Sequence, residues 1–182
     1  DHLIQDVEAF HQAINIASQQ LQDGKLVTFG VVPTDANTSY GYIKFSKKNG
    51  NGAYNVEKFI EKPDLKNAEH YLGQGNYLWN SGMFMFQALN FIDELIIHAP
   101  NIFTSVNNAV NNAKYDLDFI RLEEKDFKSS PSISIDFALM EKSSNVVVVP
   151  LDVGWKDIGA WPALYDVGKK DSQGNVINGD VI

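Results

Sequence analysis

The sequence predicts a single α/β domain whose sheet is mostly parallel and carries an inserted hairpin. Short apolar runs of strand length alternate with stretches whose apolar residues recur every three or four positions, as in amphipathic helices. The runs at residues 26–32 and 146–150 are almost continuously apolar, which is typical of strands buried on both faces. Of the 182 residues, 44% are hydrophobic, which is enough for one sizeable core.

The first half of the chain is predicted to contain a helix, a buried strand, a hairpin and a short helix. Asp23-Gly24 ends the first helix, and Pro33 stops the strand that follows it. The turn Lys48-Asn49-Gly50-Asn51-Gly52 joins the two strands of the hairpin. These elements span residues 6–21, 26–32, 40–45, 53–60 and 65–72.

The second half is predicted to contain a strand, two helices separated by Pro100, a further helix, a buried strand and a last helix. Gly82 lies inside the first of these strands and indicates a close approach to the backbone. These elements span residues 77–87, 88–99, 101–113, 134–142, 146–150 and 160–169. We assign residues 1–170 to the domain and residues 171–182 to the start of a linker or of a β-rich C-terminal module.

The composition excludes several classes of function. A formal net charge of −8 disfavours nucleic-acid binding, which depends on cations that neutralise phosphates. The absence of cysteine excludes disulfides, thiolate metal sites and cysteine nucleophiles. No apolar run approaches the roughly 20 residues that a membrane-spanning helix needs. We therefore expect a cytoplasmic protein that binds neither nucleic acid nor membranes.

Glu61 and Lys62 follow a predicted strand and precede Pro63, which fixes the direction in which the chain leaves. A carboxylate at this position can accept hydrogen bonds from sugar hydroxyls, and a lysine ammonium can bind a phosphate. The alternative is an ordinary charged strand end that faces solvent.

Asn80, Ser81 and Gly82 lie among large apolar residues. An amide and a hydroxyl there could recognise sugar hydroxyls, and the glycine would let a ligand approach the backbone. The same three residues are also ordinary turn residues, so a turn between core aromatics is the alternative.

Asp157 lies between Gly154 and Gly159, after a buried strand and before a predicted helix. Such a carboxylate is suited to Mg²⁺, which takes one or two carboxylates together with substrate phosphates. The alternative is that Asp157 caps the helix. Asp1 is the first residue, and a terminal residue is ordinarily disordered.

Together, several segments resemble the mannose-1-phosphate guanylyltransferases, a family of sugar-nucleotide transferases. The resemblance covers nearly all of residues 1–180 and is specific to the guanylyltransferase branch. It implies a Rossmann-like nucleotidyltransferase fold, that of the nucleotide-diphospho-sugar transferases, without the N-terminal strands. The segments that carry it are 28–34, 40–43, 59–63, 77–86, 134–142 and 148–161.

The resemblance implies a role for individual residues. Asp1 and Asp157 match the two metal-binding aspartates of the family, Glu61 the carboxylate on the sugar, and Lys62 the cation on its phosphate. Asn80 matches a hexose contact, with Ser81 and Gly82 beside it, and Gly41 lies where a backbone group faces the sugar.

The sequence departs from the family in two places. Ala36-Asn37-Thr38-Ser39 stands where the family usually has Pro-Glu-Thr-Gly, so no contact is assigned to that loop. The family's Gly-rich nucleotide loop, with its Arg and Lys, has no counterpart, and the single arginine is Arg121. We therefore expect a fragment cut at both ends that is inactive alone, with an unprotected sheet edge that favours a homo-oligomer.

The implied reaction joins mannose 1-phosphate and GTP, with Mg²⁺ as cofactor, to give GDP-mannose and pyrophosphate. Two alternatives stay open. One is a non-catalytic regulatory subunit that binds a sugar phosphate, and the other is a nucleotidyltransferase for another sugar 1-phosphate, since hexose selectivity depends on a few contacts.

Overall fold

A computed structural model describes residues 1–49, 52–177 and 179 of the chain. The strands are His2–Leu3 (β1), Leu26–Val31 (β2), Tyr42–Asn49 (β3), Ala53–Ile60 (β4), Tyr77–Met85 (β5), Lys114–Asp116 (β6), Phe119–Arg121 (β7), Val146–Leu151 (β8) and Lys156–Asp157 (β9). The α-helices are Val7–Leu21 (α1), Leu65–Gln74 (α2), Ala88–His98 (α3), Pro100–Asn111 (α4), Glu124–Lys128 (α5) and Trp161–Val167 (α6), and Asp136–Met140 forms a π-helix.

Helix α1 begins and buries the face that its apolar spacing predicts. The Asp6 side chain accepts a hydrogen bond from the backbone N–H of Ala9 at 2.9 Å, which satisfies one of the free N–H groups of the first turn. Ala13 and Ala17 lie in the core against β2 and β8. Small residues at these positions let the helix lie close to the sheet.

The main sheet is mixed and closes on itself in the order β2-β5-β3-β4-β8. β2 and β8 run parallel in unshifted register from Leu26↔Val146 to Val31↔Leu151. The other strand pairs of this sheet in the described residues are antiparallel, so the predicted predominance of parallel strands holds for this one pair. The hairpin causes the difference, because β3 lies between β4 and β5 and runs antiparallel to both.

The predicted open sheet edge is wrong for this sheet. β4 pairs with β8 as well as with β3, at Tyr54↔Val148 and Asn55↔Val147, and this pairing closes the order of strands. A closed sheet has no unpaired edge strand to recruit a second chain. The homo-oligomer stays a prediction, but an unpaired edge of this sheet no longer provides a physical reason for it.

The core has two layers, one on each face of the sheet. Val27, Phe29 and Val31 point toward α1, while Leu26 on the same strand packs with the π-helix residue Leu139 on the other face. Strand side chains alternate between the faces, so burial on both faces requires an apolar residue at almost every position. This arrangement explains the continuous apolar runs of β2 and β8.

One row of paired residues crosses the sheet and organises the polar segments. The residues of this row are Leu151, Val31, Trp79, Tyr42 and Ile60. Every polar segment that the sequence indicates adjoins this row: residue 152 onward follows Leu151, Glu61 follows Ile60, Gly41 precedes Tyr42, and Asn80 follows Trp79.

Several local features differ from the predictions. The helix expected at residues 134–142 is a π-helix over Asp136–Met140, and the β6–β7 hairpin and α5 were not predicted. The predicted turn residues 50 and 51 lie outside the described residues, as do 178 and 180–182 of the expected linker. The division at residue 170 stays a prediction. In the described part of the chain, no helix is long and apolar enough to cross a bilayer.

Candidate functional site

Asp157 lies on β9, and Asp1 immediately precedes β1, the strand that pairs with β9, although 155 residues separate the two aspartates in the chain. β1 pairs antiparallel with β9, with His2 opposite Asp157, and the backbone N–H of Ile158 donates to the Asp1 carbonyl at 2.9 Å. The helix-cap alternative for Asp157 is wrong, because α6 begins at Trp161 and its N-cap is Ala160. The Asp157 carboxylate instead accepts a hydrogen bond from the Gly159 N–H at 3.0 Å.

Long-range hydrogen bonds hold this strand pair in place. The backbone N–H groups of Gln5 and Asp6 both donate to the Val153 carbonyl, at 3.0 and 3.1 Å. The Trp155 indole N–H donates to Nδ1 of His2 at 2.9 Å. These bonds tie the segment before α1 to the loop after β8, so the position of Asp1 relative to Asp157 depends on the packed core.

A cleft of about 270 Å³ opens beside Asp157, where the chain leaves β2 and β8. Aromatic side chains form part of its wall: Tyr40 meets Trp79 and Trp155 edge to face, with ring centroids 5.1 and 5.6 Å apart. Ligand sites of α/β sheets lie beyond the carboxyl ends of their strands, as this cleft does for β2 and β8. Its lining residues are Thr34, Asp35, Asn37, Tyr40, Trp79, Trp155, Lys156, Asp157, Ala163 and Asp166.

The cleft is acidic. Burial raises the pKa of the Tyr40 hydroxyl, and the carboxylates of Asp157 and Asp35 raise it further, so Tyr40 is a neutral hydrogen-bonding group at neutral pH. A phosphate that entered this cleft alone would be repelled by Asp35, Asp157 and Asp166. An anionic ligand therefore needs a cation beside these carboxylates.

The donor set fits a hard divalent cation that is completed by ligand oxygens. Among the described residues there is no group of three or more His, Asp or Glu side chains that could hold a metal alone. Asp157 on β9 and Asp1, directly before the partner strand β1, are the candidate carboxylates, and Mg²⁺ is commonly bound by one or two carboxylates together with substrate phosphates.

Gly41, Glu61 and Asn80 form a second group beside the cleft, which we call the polar cluster. The Asn80 N–H donates to the Gly41 carbonyl at 2.7 Å. A Cβ added at Gly41 would lie 2.6 Å from Glu61 Oε2 and 3.4 Å from Cβ of Asn80, so any larger residue would force the Glu61 carboxylate to move. The cluster adjoins the cleft because Tyr40 and Trp79, which line it, are the chain neighbours of Gly41 and Asn80.

Lys62 lies at the edge of the polar cluster in a strained conformation. Its φ of 44° is left-handed, which costs a non-glycine residue roughly 1–2 kcal/mol. Its Nζ is 3.5 Å from Glu61 Oε1, and its side chain is 65% exposed. An exposed ion pair of this kind is weak, so the ammonium can turn toward an incoming anion at little cost. Backbone strain of this kind is concentrated at functional sites.

Asn80, Ser81 and Gly82 lie inside β5, so the turn alternative is wrong. Gly82 has a φ of 72°, and the β2–β5 register shifts between Thr28 and Gly30, so the strand bulges at this point. The bulge directs the Gly82 N–H toward Asn80 Oδ1, which accepts it at 3.2 Å.

The Ser81 side chain is enclosed by the fold and does not face an open cavity. It is buried, its hydroxyl donates to the Phe29 carbonyl at 2.5 Å, and its Oγ accepts from the Met83 N–H at 3.2 Å. This geometry does not support the predicted sugar contact of the Ser81 side chain.

Sequence reasoning missed five residues of this region, namely Asp35, Tyr40, Trp79, Asp136 and Trp155. Four of them line the cleft, and Asp136 accepts a hydrogen bond from Asn80. The aromatic residues look like core residues in a sequence, so their pattern carries no signal. Asp136 does carry one, since it is a lone acid in the apolar stretch 135–140.

Residues 1–174 match the model of the family described as Nucleotidyl transferase. The chain belongs to the nucleotidyl transferase family. This membership confirms the predicted nucleotidyltransferase fold, and Asp1 and Asp157 both lie in the matched region.

Curated relatives of this nucleotidyl transferase chain confirm the resemblance seen in its sequence. It is 48% identical over 181 residues to mannose-1-phosphate guanylyltransferase RfbM of Salmonella typhimurium, and 50% identical over 182 residues to xanthan biosynthesis protein XanB of Xanthomonas campestris. Both alignments cover 100% of this chain and 38% of the relative, so the chain spans about two fifths of the length of these proteins.

Solved structures share the fold of this nucleotidyl transferase chain. A protein described as mannose-1-phosphate geranyltransferase from Thermus thermophilus superposes with a TM-score of 0.80 at 32% identity, over 94% of this chain and 48% of that one. A protein described as mannose-6-phosphate isomerase from Helicobacter pylori superposes with a TM-score of 0.76 at 41% identity, over 86% and 62%.

Proposed function

We propose that this chain is the sugar-phosphate-binding part of a mannose-1-phosphate guanylyltransferase. The reaction joins mannose 1-phosphate to GTP and gives GDP-mannose and pyrophosphate. The observation that carries the proposal is the pairing of β1 with β9, which brings the backbone of Asp1 next to Asp157 and Ile158, beside a cleft that Asp157 lines and that adjoins the polar cluster. The 48–50% identity to mannose-1-phosphate guanylyltransferase RfbM and to XanB supports the choice of mannose and of GTP.

The proposed chemistry is a direct displacement. A phosphate oxygen of mannose 1-phosphate attacks the α-phosphorus of GTP, the bond from that phosphorus to the bridging β-phosphate oxygen breaks, and pyrophosphate leaves. No general base is required, because the second pKa of a phosphate monoester, near 6, leaves the nucleophile ionised at neutral pH. The protein therefore has to align the two phosphates and stabilise the charge between them.

Asp1 and Asp157 are the residues that would hold Mg²⁺. When bound, this cation neutralises charge on the phosphoryl oxygens. Lys62 would contact the phosphate of the sugar and keep it in line with GTP. Its weak pairing with Glu61 leaves the ammonium available for this contact.

The polar cluster would bind the hexose. Glu61 would accept hydrogen bonds from sugar hydroxyls, and Asn80 offers both a donor and an acceptor on one rigid strand. Gly41 and Gly82 leave room beside the backbone, since no side chain projects from either. Because GTP is consumed, we propose that the protein acts in the cytoplasm, and a homo-oligomer is its expected assembly.

The experiment uses a chimera in which residues 1–182 replace the matching segment of the Salmonella typhimurium relative. We expect the chimera to form GDP-mannose from mannose 1-phosphate and GTP in the presence of Mg²⁺. Asp157→Asn should lower turnover at least about 1,000-fold, because it removes an anionic ligand of the cation that stabilises the transition state by several kcal/mol.

Asp152→Asn is the matched control, since Asp152 is exposed in the same loop and does not line the cleft. It should leave turnover unchanged. Full activity of the Asp157→Asn chimera would refute the metal-binding role. A preference for glucose 1-phosphate or for ATP would point to the alternative of a transferase for another sugar or base. We expect the 182-residue chain alone to be inactive, because its sequence has no Gly-rich nucleotide loop.

A further inference from the structure

The Asn80 carboxamide is held at both of its ends. Its Nδ2 donates to Asp136 Oδ1 at 3.0 Å, and its Oδ1 accepts the Gly82 N–H at 3.2 Å. Its backbone N–H donates to Gly41, which fixes the strand beneath it. An amide nitrogen carries two N–H donors and an amide oxygen two lone pairs. One donor and one acceptor therefore remain for a ligand.

These two bonds decide which way round the amide lies. A carboxamide can exchange its oxygen and nitrogen by a half-turn about its last torsion, whose energy profile is broad and nearly two-fold. Gly82 provides only a donor and the ionised Asp136 carboxylate only acceptors, so one of the two orientations satisfies both. Without Asp136, only the single hydrogen bond from Gly82 would define the orientation.

Asp136 is in turn held by the core. It is the first residue of the π-helix, and Ala138, Leu139 and Met140 of that helix are buried. The Asp136 carbonyl also accepts the N–H of Glu141 at 2.9 Å, which closes the wide turn. A π-helix is rare and is frequently found at functional sites. The wide turn lets one short segment anchor three residues in the core and direct a carboxylate toward β5.

We propose that Asp136 is a positioning residue that fixes the Asn80 carboxamide and thereby sets the hexose selectivity of the site. The inference rests on the proposed function, since it takes Asn80 to contact the sugar. The 2- and 4-hydroxyls distinguish hexose epimers by the direction in which they point. A site whose donor and acceptor have fixed positions discriminates against an epimer that leaves a buried polar group without a partner.

The test compares Asp136→Ala, Asn80→Ala and the double variant in the same chimera. Asp136→Ala should raise the KM for mannose 1-phosphate about tenfold, with the KM for GTP unchanged, because it removes the equivalent of one charge-assisted hydrogen bond. The preference for mannose over glucose 1-phosphate in kcat/KM should fall by a similar factor. The double variant should be no worse than Asn80→Ala, since Asp136 acts through Asn80.

The chain offers a matched control in another Asp–Asn pair. Asp126 Oδ2 accepts from Asn112 Nδ2 at 2.8 Å, and neither residue lines the cleft. Asp126→Ala should leave both KM values and the epimer preference unchanged. Asp136→Asn keeps the size of the side chain but offers a donor as well as an acceptor, so it should also lower the epimer preference while leaving Tm close to that of the parent chimera, which a general loss of stability would not do.

Two outcomes would overturn the inference alone: unchanged epimer preference in Asp136→Ala, or a double variant whose losses are the product of the single ones. The test requires that the parent chimera, in which Asp136 is unchanged, is active. An inactive parent chimera would instead overturn the proposed function, and the inference with it.

Discussion

The region around the cleft and the segment from α4 to α5 are built in different ways. Around the cleft, hydrogen bonds join residues that are distant in the chain: Asn80 and Asp136 are 56 positions apart, and His2 and Trp155 are 153 apart. Each such bond fixes a side chain from two separately packed elements. The geometry of the cleft therefore depends on the whole core.

Residues 100–128, which we call the hairpin segment, are held by local contacts. Arg121 and Asp116 form an ion pair five positions apart, and Lys128 pairs with Glu124 within one helical turn. Leu117 at the tip of the hairpin is 94% exposed. This chain therefore concentrates its long-range hydrogen bonds around the cleft, whereas local contacts stabilise the exposed hairpin segment.

The largest expected effect is a loss of stability that is large for a substitution in the core and small for one in the hairpin segment. Leu139→Ala removes a fully buried side chain between the sheet and the π-helix and should lower the free energy of unfolding by about 3 kcal/mol, or roughly 6–12 °C in Tm. Leu117→Ala in the hairpin segment should change it by less than about 0.5 kcal/mol. Thermal unfolding of both variants measures this difference, and equal losses of stability would contradict the distinction between the two regions.

A second prediction concerns the polar cluster. Gly41→Ala places a methyl group 2.6 Å from Glu61 Oε2, so the carboxylate must move. We expect kcat/KM for mannose 1-phosphate in the chimera to fall about 100-fold, a loss of about 2.7 kcal/mol.

Gly73→Ala is the control for this substitution, since a Cβ at Gly73 in α2 meets nothing within 4 Å. It should leave activity unchanged and stabilise the helix by up to about 1 kcal/mol. Normal turnover of Gly41→Ala would mean that Glu61 has no required position, which would contradict the view of the cluster as a fitted site.

The smallest expected effect concerns pH. Burial raises the pKa of Glu141, and the carboxylates of Asp136 and Glu61 raise it further, against the opposing effect of Lys142 and Lys58. A carboxyl group whose pKa is higher in the folded state than in the unfolded state favours folding in its protonated form. Its contribution is complete below the unfolded-state pKa and is lost as the pH rises through the folded-state value.

Glu141→Gln should therefore raise Tm at pH 7 and leave it unchanged near pH 3, where the wild-type side chain is protonated. Glu141 is exposed enough that the gain should be on the order of 1 °C. Glu124→Gln in the hairpin segment removes a local ion pair and should give a small loss at pH 7 instead. A gain of equal size in both variants would show that net charge, not the cluster near Asp136, is responsible.

Much of the secondary structure could be predicted from short-range patterns. The spacing of apolar residues predicts α1, and the apolar runs predict β2 and β8 with ends within one residue of those observed. The β6–β7 hairpin escaped prediction because its strands have three residues each and all of them are exposed. Strands that are so short and exposed show no alternation between polar and apolar faces.

Part of the candidate site could be predicted, namely the residues that the family resemblance covers. Gly41, Glu61 and Asn80 follow from the resemblance, and the structure brings them together. Asp136 and the aromatic wall of the cleft did not follow, since their roles depend on which elements pack against them. The Ser81 side chain was predicted to contact the sugar because Ser81 stands beside Asn80 and Gly82, whereas in the fold its hydroxyl is buried and donates to the Phe29 carbonyl.

The sequence by itself determined where helices and strands form and which chemistry the polar segments can perform, because helix spacing, strand runs and capping depend on neighbours a few residues away. Tertiary structure alone decided that the sheet closes, that Asp1 lies beside Asp157, and that Asp136 orients Asn80. These relations join residues 56 to 156 positions apart. They arise only when burial of the two apolar layers fixes the register of the strands. The residues next to each strand in the sequence do not determine that register.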